Sequence, residues 1–510
     1  MKNQFGGTQV MHPDNTDKHD HPLPPEIIKE YNIARPRKQK LLCYAPFKNI
    51  YFGMDGSASA CCYNRTQAFD KYPDKNIHEM WFGEEADKLR DYIRCNDLSL
   101  GCEGCKYLLE AKNYTGVQAM YFDHYPVNRN NYPSVMQFEL SNVCNLECTM
   151  CTGEFSSSIR KNREKLPPKP SVYDDGFIEQ LREFIPHLSY AKFYGGEPFL
   201  IEIYYAIWDL MAEINPNITV EIQTNGTIMN NKVEKVLNEL KCNINISIDS
   251  LKKETYESIR VNANYEKVMQ NIEAFSSFRK KRGTRITVSM CPMRTNWQEL
   301  PDFVDYCNAN KASLFFHMVW KPEHLTLWNL DSDSLSNILS ALSKWSHPNK
   351  TAIEKKNRRQ YINYLQLIEK WLTNAIIREK DLKLKELETR KKALIEKEIE
   401  IESKKKAIHF KPIIEKFGAR QALLNELASH MKNTLLINET EIKLKTEQFQ
   451  AQITWMVNKL PNNIKADDLF ESLLSNRPVE NILMELEKDD REKLLEIAII
   501  YNRKIEFSKK

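Results

Sequence analysis

The chain has 510 residues, 42% of them hydrophobic. This is enough for two or three domains, because single cores usually stop growing near about 250 to 300 residues. Its 73 basic and 69 acidic side chains leave a net charge of +4, which gives no electrostatic reason to expect nucleic acid or an anionic membrane as a partner. No apolar run approaches the roughly 18 residues that span a bilayer.

The first twenty residues are polar and lack the apolar core of a secretion signal. We therefore expect a cytoplasmic protein, in which the 12 cysteines act as metal ligands or free thiols rather than as disulfides. Residues 1 to 40 are rich in Gly, Pro and polar side chains, which predicts a flexible tail with one short helix at Ile27 to Tyr31. We interpret His12, His19 and His21 as solvated rather than metal-binding, since no cysteine accompanies them.

Residues 41 to 110 contain two separated pairs of cysteines that could close a tetrathiolate metal site. The segment from Ile50 to Cys61 predicts a hairpin with Asp55-Gly56 as its turn, which would bring Cys43 and Cys61 together on neighbouring strands. A later C-x2-C pair would then cap the hairpin. On chemistry alone, structural zinc and an iron-sulfur cluster are equally good interpretations. The candidate ligands are Cys43, Cys61, Cys102 and Cys105.

Two further cysteines leave this ligand set open. Cys62 could replace Cys61, and Cys95 could replace Cys102. Residues 111 to 133 then form a linker.

Short β-rich runs alternate with stretches of helical period between residues 134 and 330. Such alternation predicts an α/β fold with a parallel sheet, and six repeats suggest a partial (β/α)6 TIM-like barrel. In barrels of this type the chemistry lies on loops after the carboxyl ends of the strands. The predicted strands are Val135 to Ser141, Ser189 to Tyr194, Ile218 to Thr224, Ile244 to Asp249, Ile286 to Cys291 and Leu314 to Val319.

A C-x3-C-x2-C array, Cys144, Cys148 and Cys151, directly follows the first predicted strand. Three close thiolates can hold one iron-sulfur cubane whose fourth iron has no protein ligand. Because ferredoxin-type runs supply four cysteines and only pass electrons, the missing ligand indicates an iron that can bind a substrate or cofactor.

The region after Leu330 is predicted to be helical up to residue 510. From Asn349 to Lys411 there are 63 residues without Gly or Pro, bracketed by Pro348 and Pro412. This predicts one long helix or a helical hairpin, followed by helices from about Gln421 to Leu460 and from Asp467 to Tyr501.

Apolar residues recur every seven positions in the long helix, but the half-heptad places are mostly charged, so a two-stranded coiled coil is only weakly supported. The apolar residues that recur every seven positions are Leu387, Leu394, Ile401 and Ile408. Solvated helices packing on the barrel are the plain interpretation, and a dimerisation or partner-docking arm is the functional one.

The cysteine array and the loops after the next three predicted strands resemble the signature of radical S-adenosylmethionine (radical SAM) enzymes. The second strand is followed by Gly195-Gly196-Glu197-Pro198, the third ends in Gln223-Thr224-Asn225-Gly226-Thr227, and the fourth ends in Ser247-Ile248-Asp249-Ser250. The resemblance covers residues 134 to 330. One departure is Met150, where many members carry an aromatic residue.

The resemblance implies a 4Fe-4S cluster on Cys144, Cys148 and Cys151 that binds SAM and cleaves it to a 5'-deoxyadenosyl radical. It also implies residues that surround SAM. Gly195, Gly196 and Glu197 would meet the SAM amino group, and Asn225, Ser247 and Asp249 would lie near the ribose. Arg260 would pair with the carboxylate, for which a planar guanidinium is suited, although a surface salt bridge would look the same in the sequence.

The resemblance extends to the cysteines before the barrel. Cys43, Gly56 and Cys61, with the region from Ile77 to Cys105, look like the SPASM or twitch domain of many radical SAM enzymes. Four ligands fit the shorter twitch type with one auxiliary 4Fe-4S cluster. The family generally places this domain after the barrel, so its position here is unusual.

Cys291, at the end of the fifth predicted strand, could donate a hydrogen atom as a thiol does in some epimerising members, but a buried structural role is the simpler interpretation. Cys242 and Cys307 are assigned to packing.

The resemblance implies an oxidoreductase or maturase that abstracts hydrogen from an unactivated C–H bond. Its substrate would be a ribosomally made peptide that becomes cross-linked, epimerised or similarly modified. The alternative is a sugar or another small metabolite, and the alternative of another class is a non-catalytic iron-sulfur carrier or zinc scaffold. A flavodoxin- or ferredoxin-like reductant would supply electrons.

Overall fold

The computed structural model describes residues 22–35, 39–346, 348–462 and 464–508. The histidines of the predicted tail, His12, His19 and His21, lie outside the described residues. The chain divides into two compact units, Met1–Ile376 and Ile377–Lys510. Among the helices of the described ranges, none is both long enough and apolar enough to cross a membrane.

Residues 22–35, the first described part of the chain, are folded. The short helix predicted at Ile27 to Tyr31 is present as α1, Pro25–Ala34. Tyr31 is fully buried, and Arg35 makes a buried ion pair with Asp123. Residues 22–35 are therefore part of the packed structure, whereas the sequence had suggested a flexible tail as far as residue 40. The further helices before the barrel are α2 (Ala45–Lys48), α3 (Ile77–Phe82), α4 (Glu84–Arg94) and α5 (Glu103–Glu110).

One sheet of nine strands, in the order β3-β2-β1-β4-β5-β6-β7-β8-β9, organises the first unit. Six parallel strands, β4 to β9, follow one another in chain order, which confirms the six predicted strands of the α/β region. The strands are β1 (Asn49–Phe52), β2 (Ser57–Ser59), β3 (Asp70–Lys71), β4 (Val135–Phe138), β5 (Tyr190–Phe193), β6 (Thr219–Thr224), β7 (Lys241–Ser247), β8 (Ile286–Met290) and β9 (Ser313–Phe316).

The predicted hairpin is confirmed, with β1 and β2 antiparallel and Gly56 in the turn at a φ of 85°. Its place in the sheet was not foreseen. β1 pairs in parallel with β4, with Asn49 opposite Val135 and Phe52 opposite Phe138. All four residues of β1 are buried, as in a strand covered on both faces, so the hairpin extends the barrel sheet rather than standing apart from it.

Side chains alternate along the strands, so one face of the sheet is apolar and the other polar. In β6, Val220 and Ile222 are fully buried, while Glu221 and Gln223 are partly exposed. The helices that connect or follow the parallel strands are α6 (Ser157–Asn162), α7 (Asp175–Phe184), α8 (Glu202–Ile214), α9 (Asn231–Glu239), α10 (Lys253–Ile259), α11 (Tyr265–Arg282), α12 (Leu300–Ala309) and α13 (Ser332–Ser343).

The long predicted helix is confirmed as one continuous element, α14 (Ala352–Phe417), without a hairpin turn. It continues through the predicted stop at Pro412 and ends before Gly418, whose φ is 80°. Most of the second unit is a set of helices with its own apolar core, which includes Leu427, Phe449 and Leu473. These helices are α15 (Ala419–Asn433), α16 (Glu439–Asn458), α17 (Ala466–Asn476), α18 (Val479–Glu487) and α19 (Arg491–Ser508).

The outer edge of β9 is closed by one side chain from the start of α14. Asn357 is fully buried; its Oδ1 accepts from the Leu314 amide at 2.9 Å, and its Nδ2 donates to the Ala312 carbonyl at 3.0 Å. An edge strand presents unpaired backbone groups, so this amide takes the place of a further strand.

We expect Asn357→Leu to lower the free energy of unfolding by about 2 to 5 kcal/mol, because it leaves two buried backbone groups without partners. Lys355→Leu, at an exposed position in the same helical turn, is the control. Urea unfolding followed by circular dichroism measures both changes. Equal midpoints for the two variants would contradict this account of the sheet edge.

Candidate active site

The three cysteines of the central array lie in a loop that follows β4, and all three are half-buried. Hydroxyl groups from the start of α6 hold this loop. Ser157 Oγ accepts from the Cys144 amide at 3.1 Å, and Ser158 Oγ donates to the Cys144 carbonyl at 2.8 Å. The Cys151 amide donates to the Cys148 carbonyl at 3.0 Å. The array therefore forms one compact turn at the carboxyl edge of the sheet.

The glycine turn after β5 docks directly on the backbone that leads into Cys144. The Gly196 amide donates to the Ser141 carbonyl at 3.0 Å, and the Glu197 amide donates to the Val143 carbonyl at 2.7 Å. A β-carbon at Gly196 would lie 2.1 Å from the Val143 carbonyl oxygen. Glycine is therefore required at this position, because the cysteine loop leaves no space for a side chain.

The Glu197 carboxylate joins the β5 turn to the β6 turn. It is fully buried, and it accepts from the Thr224 hydroxyl at 2.7 Å and from the Asn225 and Phe199 amides at 2.7 and 3.1 Å. Burial raises the pKa of this carboxyl to about 7, although the three hydrogen bonds act in the opposite direction. Both oxygens thus already have protein donors, and contact with a SAM amino group stays a prediction.

Asn225 lies between the β6 turn and the cysteine loop. Its Nδ2 is 3.9 Å from the Cys144 sulfur and donates to Asn145 Oδ1 at 3.0 Å. Thr227 accepts from Asn145 Nδ2 at 3.0 Å and donates to Asn225 Oδ1 at 2.7 Å. The structure thus places Asn225 beside the cysteine array, and its predicted place near a SAM ribose stays a prediction.

Asp249 and Arg260 form a buried ion pair of 2.8 Å, with 0% and 7% of their side chains exposed. This pair is not the surface salt bridge that the sequence left open for Arg260. A further guanidinium nitrogen lies 3.9 Å from the Cys148 sulfur. Burial alone would lower the pKa of Arg260, but the Asp249 carboxylate and the Cys148 thiol keep that pKa above its ordinary value.

Cys291 lies against the same pair, since its amide donates to Asp249 Oδ1 at 2.7 Å. It packs in a small apolar cluster, separate from the main core, that also contains Met150 from the cysteine array. Burial raises the pKa of its thiol well above the ordinary value. Ser247 ends β7 and is partly exposed. Cys242 and Cys307 are buried in the main core.

The residues around the array fit a 4Fe-4S cluster with SAM. Cys144, Cys148 and Cys151 supply three thiols, the donors that such clusters take. Several polar atoms beside them are buried and have no hydrogen-bond partner among the described residues, and these are Arg260 Nε, Tyr256 Oη and His317 Nε2. Because buried polar atoms are normally paired, they indicate a site that binds a polar ligand.

The four cysteines before the barrel line a single pocket. Cys43 lies just before α2, Cys61 follows β2, Cys102 caps α5 and Cys105 lies in its first turn. The expected placement of Cys43 and Cys61 on neighbouring strands is wrong in detail, since both lie just outside the strands. Cys62 and Cys95 are not among the described residues that line the pocket.

The sulfurs of this pocket accept hydrogen bonds in three places. The Ala45 amide donates to Cys43 at 3.3 Å, Asn64 Nδ2 donates to Cys102 at 3.1 Å, and backbone amides donate to Cys105. Within the described residues, no three Cys, His, Asp or Glu side chains are placed to hold one metal ion. The fit to an auxiliary cluster therefore depends on the shared pocket and its sulfur hydrogen bonds.

Sequence reasoning missed several residues that support the site. Ser157, Asn145 and Thr227 hold the cysteine loop, and Asn296 donates to the backbone of Asp249 and Cys291 at 2.7 and 3.1 Å. They are small polar residues in loops, where composition alone cannot separate a supporting amide or hydroxyl from a solvated one.

Comparison with known proteins agrees with this geometry. Residues 138–307 match the family model described as Radical SAM superfamily. A probable GTP 3',8-cyclase from Methanocaldococcus jannaschii is 26% identical over 192 residues, 35% of this chain and 56% of that protein. An uncharacterized protein from Archaeoglobus fulgidus is 27% identical over 178 residues, 34% of this chain and 37% of that one. The matches thus span from about a third to just over half of these relatives.

Two solved structures are partly similar to this chain. One is described as native anSMEcpe with bound AdoMet, with 19% identity, a TM-score of 0.33, and coverage of 41% of this chain and 60% of that one. The other is Streptococcus suis SuiB bound to S-adenosylmethionine, with 14% identity, a TM-score of 0.33, and coverage of 49% and 61%. The part of the sheet that carries the cysteine array is a radical SAM domain.

We expect Gly196→Ala to destabilise the metal-free protein by about 2 to 4 kcal/mol, because the new methyl group must displace the backbone at Val143. Gly104→Ala is the matched control, since a β-carbon there meets nothing within 4 Å and Ala favours its helix. Urea unfolding compares the two. If Gly196→Ala is as stable as Gly104→Ala, the docking of the glycine turn does not constrain the loop.

The raised pKa of Glu197 predicts a dependence of stability on pH. The folded protein binds this proton more tightly than the unfolded chain, whose carboxyl has the ordinary value of 4.5. Stability should therefore fall as pH rises from 4.5 to about 7, by about 3 kcal/mol from this group. Glu197→Gln should remove the part of this loss of stability that comes from the carboxyl group. Urea midpoints of metal-free protein at about pH 5 and about pH 8 measure it, and an unchanged fall in the variant would contradict the assignment.

Proposed function

We propose that this enzyme reductively cleaves SAM and abstracts hydrogen from an unactivated C–H bond of its substrate. The observation that carries the proposal is the buried assembly around the cysteine array, in which the Gly195-Gly196 turn, Asn225 and Arg260 all approach the loop of Cys144 to Cys151. A pure electron carrier has no need of these groups.

Cys144, Cys148 and Cys151 would hold a 4Fe-4S cluster which, with one added electron, supplies the 5'-deoxyadenosyl radical from bound SAM. The protein's own residues do the positioning. Asp249 fixes one edge of the Arg260 guanidinium, and the unpartnered Nε leaves a donor for the SAM carboxylate. The backbone of Gly195 and Gly196 brings the β5 turn to the cysteine loop, where the SAM amino group would bind.

An auxiliary 4Fe-4S cluster is part of the proposal, with Cys43, Cys61, Cys102 and Cys105 as its ligands. The shared pocket, which Cys62 and Cys95 do not line, supports this ligand set over one with Cys62 or Cys95. A second redox group suits reactions in which the substrate loses electrons overall, such as the formation of a cross-link. A flavodoxin- or ferredoxin-like protein would be the reductant.

The proposed substrate is a ribosomally made peptide, because the auxiliary cysteines resemble the twitch group, whose members often act on peptides. A small metabolite is the second candidate, and a nucleotide is favoured within that class because several curated relatives are GTP 3',8-cyclases. The second unit, residues 377–510, would then serve as a docking or dimerisation arm.

The proposal is tested with anaerobically reconstituted protein given SAM and dithionite. The full-length enzyme should form 5'-deoxyadenosine, and Cys148→Ala should reduce this by at least about a hundredfold, because the cluster loses a ligand. Cys95→Ala removes an exposed thiol that does not line the four-cysteine pocket and should retain the activity. Thiolate-bound zinc and no 5'-deoxyadenosine from any variant would instead favour the carrier or scaffold alternative.

The substrate class is tested by mass spectrometry of small peptides encoded beside the gene and co-expressed with the active enzyme. Loss of a hydrogen pair or uptake of deuterium from solvent supports the peptide substrate. Unchanged peptides under conditions that cleave SAM, together with a new product from a nucleotide mixture, would support the small-molecule candidate.

A further inference from the structure

One side chain, Asn64, contacts a sulfur of the four-cysteine pocket. Its Nδ2 donates to Cys102 Sγ at 3.1 Å. The other described donors to these sulfurs, at Cys43 and Cys105, are backbone amides, which a side-chain substitution does not remove. Among these described donors, the Asn64 side chain is therefore the one that a substitution can remove.

The Asn64 side chain is held through its Nδ2, whereas its Oδ1 has no hydrogen-bond partner among the described residues. Asn64 is 1% exposed, and its Nδ2 also donates to the Leu100 carbonyl at 3.0 Å, so both amide hydrogens are used. Its backbone amide donates to the Cys61 carbonyl at 3.0 Å. The residue thus connects the loop of one ligand, Cys61, to the sulfur of another, Cys102.

The neighbouring backbone is shaped around this amide. Gly101, directly before Cys102, has a φ of 68°, and a β-carbon there would lie 2.9 Å from Asn64 Nδ2 and 2.6 Å from the β-carbon of Gln67. Glycine at this position allows the Cys102 loop to lie against the Asn64 amide. The contact between amide and sulfur is therefore part of a fitted arrangement.

We propose that Asn64 is a positioning residue that raises the reduction potential of the auxiliary iron-sulfur cluster by donating a hydrogen bond to the Cys102 sulfur. The inference rests on the proposed function, since it requires a cluster in this pocket. A hydrogen bond to a ligand sulfur stabilises the more negative, reduced state of a cluster, and so favours uptake of an electron. The amide thereby suits this site to accept electrons rather than to donate them.

The experiment measures the auxiliary cluster alone, in full-length protein in which Cys144, Cys148 and Cys151 are all replaced by Ala. Iron content and an electron paramagnetic resonance redox titration are recorded for this parent, for Asn64→Leu and for Asn64→Asp. Asn64→Leu keeps the branched shape of the side chain but loses the amide hydrogens, and Asn64→Asp replaces those hydrogens with a carboxyl group. The matched control is Asn215→Leu, which removes an amide whose Nδ2 donates to the carbonyls of Ile185 and Leu188, away from the cysteine pocket.

The proposal expects parental iron content in the two Asn64 variants, a potential shifted to more negative values in both, and no shift in Asn215→Leu. An unchanged potential with normal iron would overturn it, and so would loss of iron from both Asn64 variants, which would make Asn64 a scaffold residue. A parent without iron would instead refute the auxiliary cluster of the proposed function, so the two failures are distinguishable.

Discussion

The close approach of two backbone segments at the carboxyl edge of the sheet determines the geometry of the active site. The β5 turn at Gly195-Gly196 forms hydrogen bonds with the run from Ser141 to Val143, and no side chain fits between them. Main-chain contacts therefore fix the approach to Cys144, and the Ser157 and Ser158 hydroxyls hold the cysteine itself. Glu197 extends the arrangement to the next strand by binding the backbone of Asn225. The Asn225 amide and the Arg260 guanidinium then lie next to the sulfurs of Cys144 and Cys148.

The four-cysteine pocket also combines backbone contacts, which the fold fixes, with a side-chain contact, which the sequence can change. Cys43 and Cys105 receive backbone amides, whereas Cys102 receives the Asn64 side chain. Backbone donors give the cysteine sulfurs similar hydrogen bonds in any sequence with this fold, while a side-chain donor can differ between related proteins. Hydrogen bonding to sulfur is one of the main ways in which a protein adjusts a cluster. At both cysteine sites, therefore, backbone contacts fix the loops and side chains contact the sulfurs, although the local folds differ.

Much of this could be predicted from the sequence, because the signals are local. The six parallel strands follow from β-rich runs such as Ile218 to Thr224, and the long helix follows from 63 residues without Gly or Pro. The hairpin followed from its Asp55-Gly56 turn. Arg260 was identified as a candidate by its place in a family motif, but its buried pairing with Asp249 could only be seen in three dimensions.

What could not be predicted depends on contacts between distant segments. Nothing in the sequence of Asn49 to Phe52 indicates that this strand pairs with β4. Each residue of β1 lies opposite the residue 86 positions later in the chain. The roles of Asn64 and Asn357 are equally hidden, since a buried amide that bonds to sulfur or to a strand edge has the composition of an ordinary polar residue. Residues 22–35 were interpreted from their prolines and polar side chains, yet Tyr31 and Arg35 anchor them.

The parallel pairing of β1 with β4 also determines where a shorter fragment of this protein can begin. A fragment that began at Val135 would expose the whole hydrogen-bonding edge of its first strand, which invites association between molecules. The cysteine-rich segment thus covers the edge of the sheet that carries the active site and is also a candidate redox module, so a change in one affects the surroundings of the other.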